Sequence, residues 1–376
     1  MRTLVIHPRM SIQGGGERVA IHSLKAALRA GHTACLLSED FDITQVEQFF
    51  ACEGLFSMVE RLTYQVFRPR LVRGLHLYQQ LFYHRRQIRK LLTKHPDFQL
   101  VLSTQDIGYA PSSESPVLQY CYFPDYFSHI EAEGSSPWWK LYYWPARLYY
   151  HQRVKHVDKL LSTSDYTRYF VRKVWDRDST TLYPPCPIDL YKSSVGVKEN
   201  VVVTVARLVP EKRIENFLEI ARNLPALKFV VIGSVQSGRG GYYETLRRIA
   251  PANTSFIDAP LRKARNVLAG AKVYVHCARN EQFGIAIVEA MAARCVPVVH
   301  DSGGPREIVT QDVGYRWQNI LEASQKISTI MEDDELRNKL ARSAASRAEM
   351  FSDDAFESSL AATLKEYGTR KSTGGA

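Results

Sequence analysis

Short apolar runs alternate along the chain with segments of helical spacing, and the alternation restarts once. The run "TLVIHP" (3–8) leads into a glycine-rich loop, "QGGGER", then a helical pattern from Val19 to Arg29 ended by Gly31, then a second run, "TACLLSED". Such a β-loop-α-β opening begins a parallel sheet, because parallel neighbours need a crossover and the crossover helices cover the sheet. Further strands are expected at 98–104, 117–123 and 159–164, and the Pro-, Ser- and Lys-rich segment 181–200 reads as a linker. The rhythm then resumes with strands at 201–207, 228–233, 255–258, 272–278 and 296–300 and helices at 214–223, near 241–250 and from 285. A closing helix near 353–367 precedes a frayed tail, "STGGA". The expected fold class is α/β, two Rossmann-like domains facing a cleft. The expected domains are 1–190, 191–352 and a terminal segment, 353–376, whose helix packs back toward the first.

Length and composition agree with that organisation. A chain of 376 residues is too long for one small core, and 45% hydrophobic with 23% charged residues is globular rather than disordered. Cys35, Cys52, Cys121, Cys186, Cys277 and Cys295 form no CxxC, and His32 near Cys35 and His276 beside Cys277 are too few for a zinc site, so reduced, buried thiols and a cytoplasmic setting are expected. The N-terminal apolar run is too short for a signal peptide, and no stretch approaches the 18 or more apolar residues of a membrane span.

The formal charge of +10 changes the picture, because it asks for an acidic partner: nucleic acid, anionic lipid or a phosphorylated substrate. The charge is concentrated. Residues 61–96 hold nine Lys/Arg, three His and no acid, interleaved with Tyr64, Phe67, Tyr78, Phe82 and Tyr83. This pattern suits docking on an anionic membrane surface, and suits equally a solvated helix face with aromatics turned inward. "PWWKLYYWPARLYYHQRVKH" (137–156) repeats the pattern, with the inward-packed reading favoured there.

The candidate chemistry lies in "NEQFGIAIVEAMAARCVPVVHDSGGPREI" (280–308). Ligands of parallel sheets bind beyond the carboxyl ends of the strands, where helix N-termini point. Gly284 and Ile285 open the helix after strand "KVYVHCA", offering unpaired N–H groups and the positive dipole end to a diphosphate. Glu289 lies one turn in, on the face of Ile285, and Glu281 lies in the preceding loop, so two carboxylates bracket the anion position and suit vicinal sugar hydroxyls. His276, on the strand, reads as a satisfied core histidine. In "VARLVPEKRIEN", Arg207 just past a strand and Lys212 before a helix are two cations suited to a diphosphate leaving group.

"VARLVPEKRIE", the spaced glutamates of "EQFGIAIVE", and "SGGPREI" resemble the retaining, nucleotide-sugar-dependent glycosyltransferases of family 4, which have the GT-B fold; the resemblance is strongest over 200–310. "HPRMSIQGGGERVAIHSL" and "LYPPCPIDLY" extend it toward the α-1,2-mannosyltransferases that elongate dolichol-linked oligosaccharide and their archaeal relatives. It implies an N-terminal acceptor-binding domain and a C-terminal nucleotide-sugar-binding domain. It implies that Glu289 binds the donor ribose and Glu281 the transferred hexose, and that Arg207 and Lys212 hold the diphosphate, with Phe283, Gly284 and Ile285 at the donor. Gly14, Gly15 and Gly16 would let backbone approach donor and acceptor closely. No metal and no cofactor is implied beyond the donor, a nucleotide diphosphate sugar: GDP-mannose first, a UDP-hexose second. The implied acceptor is a lipid-linked glycan, and the setting the cytoplasmic face of a membrane. Two departures stand out. "YCYFP" puts Tyr122 where relatives often carry a histidine that contacts the sugar, and Arg294 stands where they often have glycine, costing roughly 1 kcal/mol if that position is left-handed.

Rival readings fit less. "GGGE" lacks the GxGxxG spacing of a dinucleotide site despite Glu39 and Asp40 after strand two, and "DFD" (40–42) comes too early for a metal-binding carboxylate pair. An epimerase of the same fold would also bind a nucleotide sugar. A nucleic-acid-binding protein using 61–96 would leave the donor motifs unexplained.

Overall fold

The computed structural model describes residues 1–65, 67, 75–124, 137–192, 196–233, 240–257 and 261–373. The chain divides into two compact units, one of Met1–Pro185 with Asp354–Ala376, the other of Cys186–Asp353.

The first unit is a parallel sheet of seven strands: β1 (Arg2–Ile6), β2 (Thr33–Ser38), β3 (Glu60–Thr63), β4 (Leu100–Ser103), β5 (Val117–Cys121), β6 (Lys159–Ser162) and β7 (Thr180–Thr181), in the order β3-β2-β1-β4-β5-β6-β7. Its helices are α1 (Gly15–Arg29), α2 (Ile43–Phe50), α3 (His76–Lys94), α4 (Pro137–Val154) and α5 (Asp165–Trp175). Alternation along the strands sorts the core into two layers. Val5, Leu36, Leu102 and Leu118 pack against α1, whereas Leu4, Ile6, Val101 and Val117 pack under α3 and α4 with Leu81, Ile88, Ala146 and Tyr150.

The second unit repeats the plan with α6 (Ile188–Lys192), β8 (Glu199–Val205), α7 (Ile214–Asn223), β9 (Lys228–Ile232), α8 (Gly240–Ile249), β10 (Thr254–Ile257), α9 (Leu261–Gly270), β11 (Ala271–His276), α10 (Ile285–Ala292), β12 (Val296–His300), α11 (Pro305–Ile308), β13 (Tyr315–Trp317), α12 (Ile320–Glu332) and α13 (Asp334–Ala348). The strand order is β10-β9-β8-β11-β12-β13, all parallel. Val202, Val273, Val275, Val296 and Val298 are the centre of its core.

The closing helix α14 (Asp353–Thr373) lays Phe356, Leu360, Ala361 and Leu364 into the α1 layer of the first unit. Glu357 takes His22 Nδ1 at 2.7 Å, and Arg29 donates to Asp354 at 2.6 Å. The passage between units falls at Pro185–Cys186, a few residues before the expected 190/191, because Cys186 N–H donates to Phe351 O at 3.0 Å and Cys186 bridges Ser352. The expected linker therefore contains the end of β7 and all of α6, and α6 belongs to the second unit. Helix α1 begins at Gly15 rather than Val19, so two of the three loop glycines form its first turn; Glu17 accepts from Gly14 N–H at 2.7 Å and holds that start.

Candidate active site

In the second unit the site is assembled from the loops after β8, β11 and β12. Gly284 caps α10 at φ +114°, a conformation open to glycine and strained for any other residue. The "SGGP" turn lies against the "NEQF" loop so closely that Gly304 N–H donates to Glu281 O at 2.8 Å, while Ser302 Oγ accepts from Asn280 N–H at 2.9 Å. A Cβ on Gly303, at φ +69°, would sit 2.4 Å from Glu281 O, and one on Gly304 2.3 Å from Gln282 O. The Gly-Gly pair thus fixes where Glu281 stands. At the far end of α10, the half-buried Lys198 donates to Ala293 O at 2.6 Å and Ala271 O at 2.9 Å, a cation on the helix's negative end.

Glu281 meets Lys212, whose Nζ donates to its carboxylate, and His276, whose Nε2 is 3.6 Å from Oε2. Lys212 reaches this point from a single 3₁₀ turn, Pro210–Lys212, that follows β8. Burial opposes the charge on Glu281, but His276 and Lys212 together outweigh it and hold the carboxyl down at about 2. His276 Nδ1 is 3.2 Å from the Tyr274 hydroxyl, whose ionisation is suppressed by burial first and then by the fields of Glu289 and Glu281. Both carboxylates therefore act on the same buried phenol. Glu289 is itself buried on α10 and Arg207 is exposed at the carboxyl end of β8. The ensemble is a helix N-terminus, two cations and two carboxylates at the carboxyl end of a parallel sheet, the elements needed to hold a sugar attached to a diphosphate.

The family model "Glycosyl transferases group 1" matches residues 189–347. Those residues are similar to that family's domain. Among similar proteins, the GDP-Man:Man(3)GlcNAc(2)-PP-Dol alpha-1,2-mannosyltransferase of Candida glabrata is 30% identical over 50% of this chain and 44% of its own length. The chain spans about half the length, or less, of the curated relatives it matches. Among solved structures, sucrose-phosphate synthase from Thermosynechococcus elongatus superposes with a TM-score of 0.75 at 13% identity, covering 98% of this chain and 100% of that one. HepE from Anabaena, solved with UDP and glucose, gives a TM-score of 0.71 at 16% identity, covering 97% and 99%. The fold class is accordingly GT-B, two Rossmann-like domains.

Within the matched residues, the structure brings Lys212 and Glu281 into contact and sets Gly284 and Ile285 at the start of α10, with Glu289 one turn on. Phe283, expected at the donor, is buried with its ring 5.4 Å from that of Phe351. His276 is buried, as the core reading expects, and its ring also bears on Glu281. Period-2 alternation could have found it, because Tyr274 and His276 are two apart on β11 and share a face. The sequence suggests loop contacts over 258–261 as selecting the base, and of these 258–260 lie outside the described residues. Among the described residues no group of three or more His, Cys, Asp or Glu could hold a metal ion.

The remaining expected residues lie in the first unit. Gly16 and Tyr122 adjoin: the Tyr122 hydroxyl is 3.3 Å from Gly16 O and donates to Thr104 O at 3.1 Å, and burial strongly suppresses its ionisation. Tyr122 thus stands as a neutral hydrogen-bonding group. Its neighbour His7, fully buried, joins Thr104 Oγ1 at 3.0 Å and Glu17 at 3.3 Å. Sequence reasoning passed over this pair, though "IHP" at the end of β1 and "GGGE" at the start of α1 place both at a strand's carboxyl end. Gly14 and Gly16 have no positive φ here; Gln13 takes it instead, at +58°.

Proposed function

We propose that the protein is a retaining hexosyltransferase that moves a hexose, mannose from GDP-mannose in the first instance, to a lipid-linked glycan acceptor. The observation that carries this reading is the Lys212–Glu281 pair ahead of the α10 N-terminus, within residues that match the group 1 glycosyl transferase family model. The names of the mannosyltransferase relatives support the choice of donor and acceptor.

In this reading the donor diphosphate takes Lys212 and Arg207 as counter-ions and the N–H groups of Gly284 and Ile285 as donors. Lys212 leaves Glu281, whose carboxylate then accepts from the hexose hydroxyls while His276 keeps it oriented. Glu289 accepts from the ribose. As the bond from C1 to the phosphate oxygen breaks, charge grows on the diphosphate and those same cations stabilise it. The leaving oxygen takes the acceptor's proton, and the acceptor oxygen forms its bond to C1 on the same face. No metal is required in this scheme, and the protein works at the cytoplasmic face of a membrane.

The test is calorimetry of GDP, UDP and ADP with EDTA present, on the wild type and Glu289→Ala. Tight binding of GDP that the variant loses by tenfold or more is expected; binding of UDP alone reassigns the donor, and binding of none by folded protein sinks the reading.

A further inference from the structure

The two basic-aromatic stretches differ in what they expose. On α3, Leu81, His84 and Ile88 turn inward while Arg85, Arg86, Arg89 and Lys90 face solvent. On α4 the inward residues are Ala146, Tyr150, Arg153 and Val154. The outward ones include Trp138, Leu141, Trp144 and Leu148, at 78%, 65%, 57% and 49% exposure. At about 100° per residue these four share one stripe with Pro145, so α4 is apolar on both of its faces. A buried helix accounts for only one of them, and scattered exposed residues do not make a contiguous stripe.

Cations border the stripe on both sides. Lys140 and Arg147 line one edge of α4, on the side away from α3. On the other side α3 runs alongside in the same direction: the rings of Tyr78 and Tyr142 are 5.5 Å apart, and seven residues on in each helix Arg85 lies 5.9 Å from the Tyr149 ring. Residues 75–96 and 137–157 contain no Asp or Glu. No described helix is long and apolar enough to cross a membrane.

We propose that the Trp138–Leu141–Trp144–Leu148 stripe of α4 inserts at the headgroup level of an anionic bilayer, with Lys140, Arg147 and the exposed cations of α3 on the lipid phosphates. Tryptophan suits that depth, having an apolar ring and an N–H that stays hydrated, and the bordering charges supply the attraction to anionic lipid. The acid-free border argues for lipid over a second copy, because two such faces would repel. The proposal deepens the reading of a lipid-linked acceptor and rests on it for its purpose, since the reacting glycan would be held at the same surface. It also moves the expected membrane contact from the polar face of 61–96 to the helix beside it.

The five tryptophans make the test direct, because Trp175 and Trp317 are buried and report little of the surface. Adding vesicles of phosphatidylcholine with phosphatidylglycerol should shift emission to the blue, and bromine on the acyl chains should quench it. The triple variant Trp138→Ser, Leu141→Ser, Leu148→Ser should lose at least tenfold in vesicle partitioning while binding GDP as the wild type does. Wild-type emission indifferent to vesicles, or a triple variant that partitions as well as wild type, overturns the proposal. So does a blue shift with protein concentration alone accompanied by a dimer in sedimentation velocity, which would assign the stripe to a second copy. Vesicle insertion with no nucleotide binding would sink the donor reading and leave this surface standing.

Discussion

Counted within each unit, the two sheets share the strand order 3-2-1-4-5-6, but they build their glycine loops by opposite rules. In the second unit Gly284 and Gly303 have positive φ, and Gly303 and Gly304 press against neighbouring backbone. In the first unit Gly16 has ordinary backbone angles, and a Cβ there would meet its nearest atoms, in His7 and Tyr122, at 3.6 Å. One loop therefore needs glycine to fold. The other has room for a side chain at Gly16, where a Cβ would make only ordinary contacts.

Breaking that contrast most severely, Gly303→Ala should destabilise the second unit by about 3 kcal/mol or more, from left-handed strain plus overlap with Glu281 O. Gly16→Ala, in the first turn of a helix, should leave stability unchanged or raise it by up to about 1 kcal/mol while lowering hexosyl transfer. Chemical unfolding of both variants beside a transfer assay decides it; a Gly16→Ala variant with full transfer rate would make that glycine incidental.

Acid should separate the units next. Burial lowers His84 to about 4, with the Tyr64 hydroxyl 3.0 Å away, the rings of Tyr83 and Tyr109 against it and Arg9 adding positive field. A folded value below the unfolded one means that the unfolded chain takes the proton first. Stability of the first unit is thus intact above about pH 6.5 and falls by up to roughly 3 kcal/mol as pH drops toward 4. Glu281 runs later: its folded value of about 2 lies below the unfolded carboxylate's, so its contribution is present above about pH 4.5 and is lost as pH falls toward 2. Hydrogen exchange on peptides of each unit across pH 4–7 should show the first opening before the second, and His84→Gln should flatten the difference.

A smaller effect is expected at Lys212. On the proposed reading its removal would deprive the donor phosphate of a charge-assisted bond worth about 2 kcal/mol, so Lys212→Ala should weaken GDP roughly thirtyfold, while Tyr122→Phe should leave GDP affinity within twofold. Equal losses in calorimetry would deny the division of labour between units. The smallest effect belongs to Arg294, which sits at φ +59° after α10, where Cys295 N–H closes on Ala290 O at 2.9 Å. Arg294→Gly should stabilise the second unit by about 1 kcal/mol, read as a raised unfolding midpoint.

Much of this architecture was legible because parallel strands, buried on both faces, read as continuous apolar runs. Strand β12 and helix α7 have the expected bounds, 296–300 and 214–223. Strand β3, "ERLT", was passed over because it is short, polar and at the sheet edge, and so carries little apolar signal. Helix α13 was passed over because its apolar positions are mostly alanine. At the candidate site the residue types and their spacing were visible, and the partners were not. Nothing in "VPEK" states that Lys212 reaches a carboxylate 69 positions on.

The sequence by itself determined the α/β rhythm, the helix start at Gly284–Ile285 and the excess of basic charge, because each is set by neighbours within one turn or by composition alone. Tertiary structure decided that Phe283 is buried, that His276 bears on Glu281, and that α4 rather than α3 turns an apolar stripe to solvent. Those outcomes depend on which elements lie across from a side chain, and period-2 or period-3.6 patterns record the face of an element without recording what covers it.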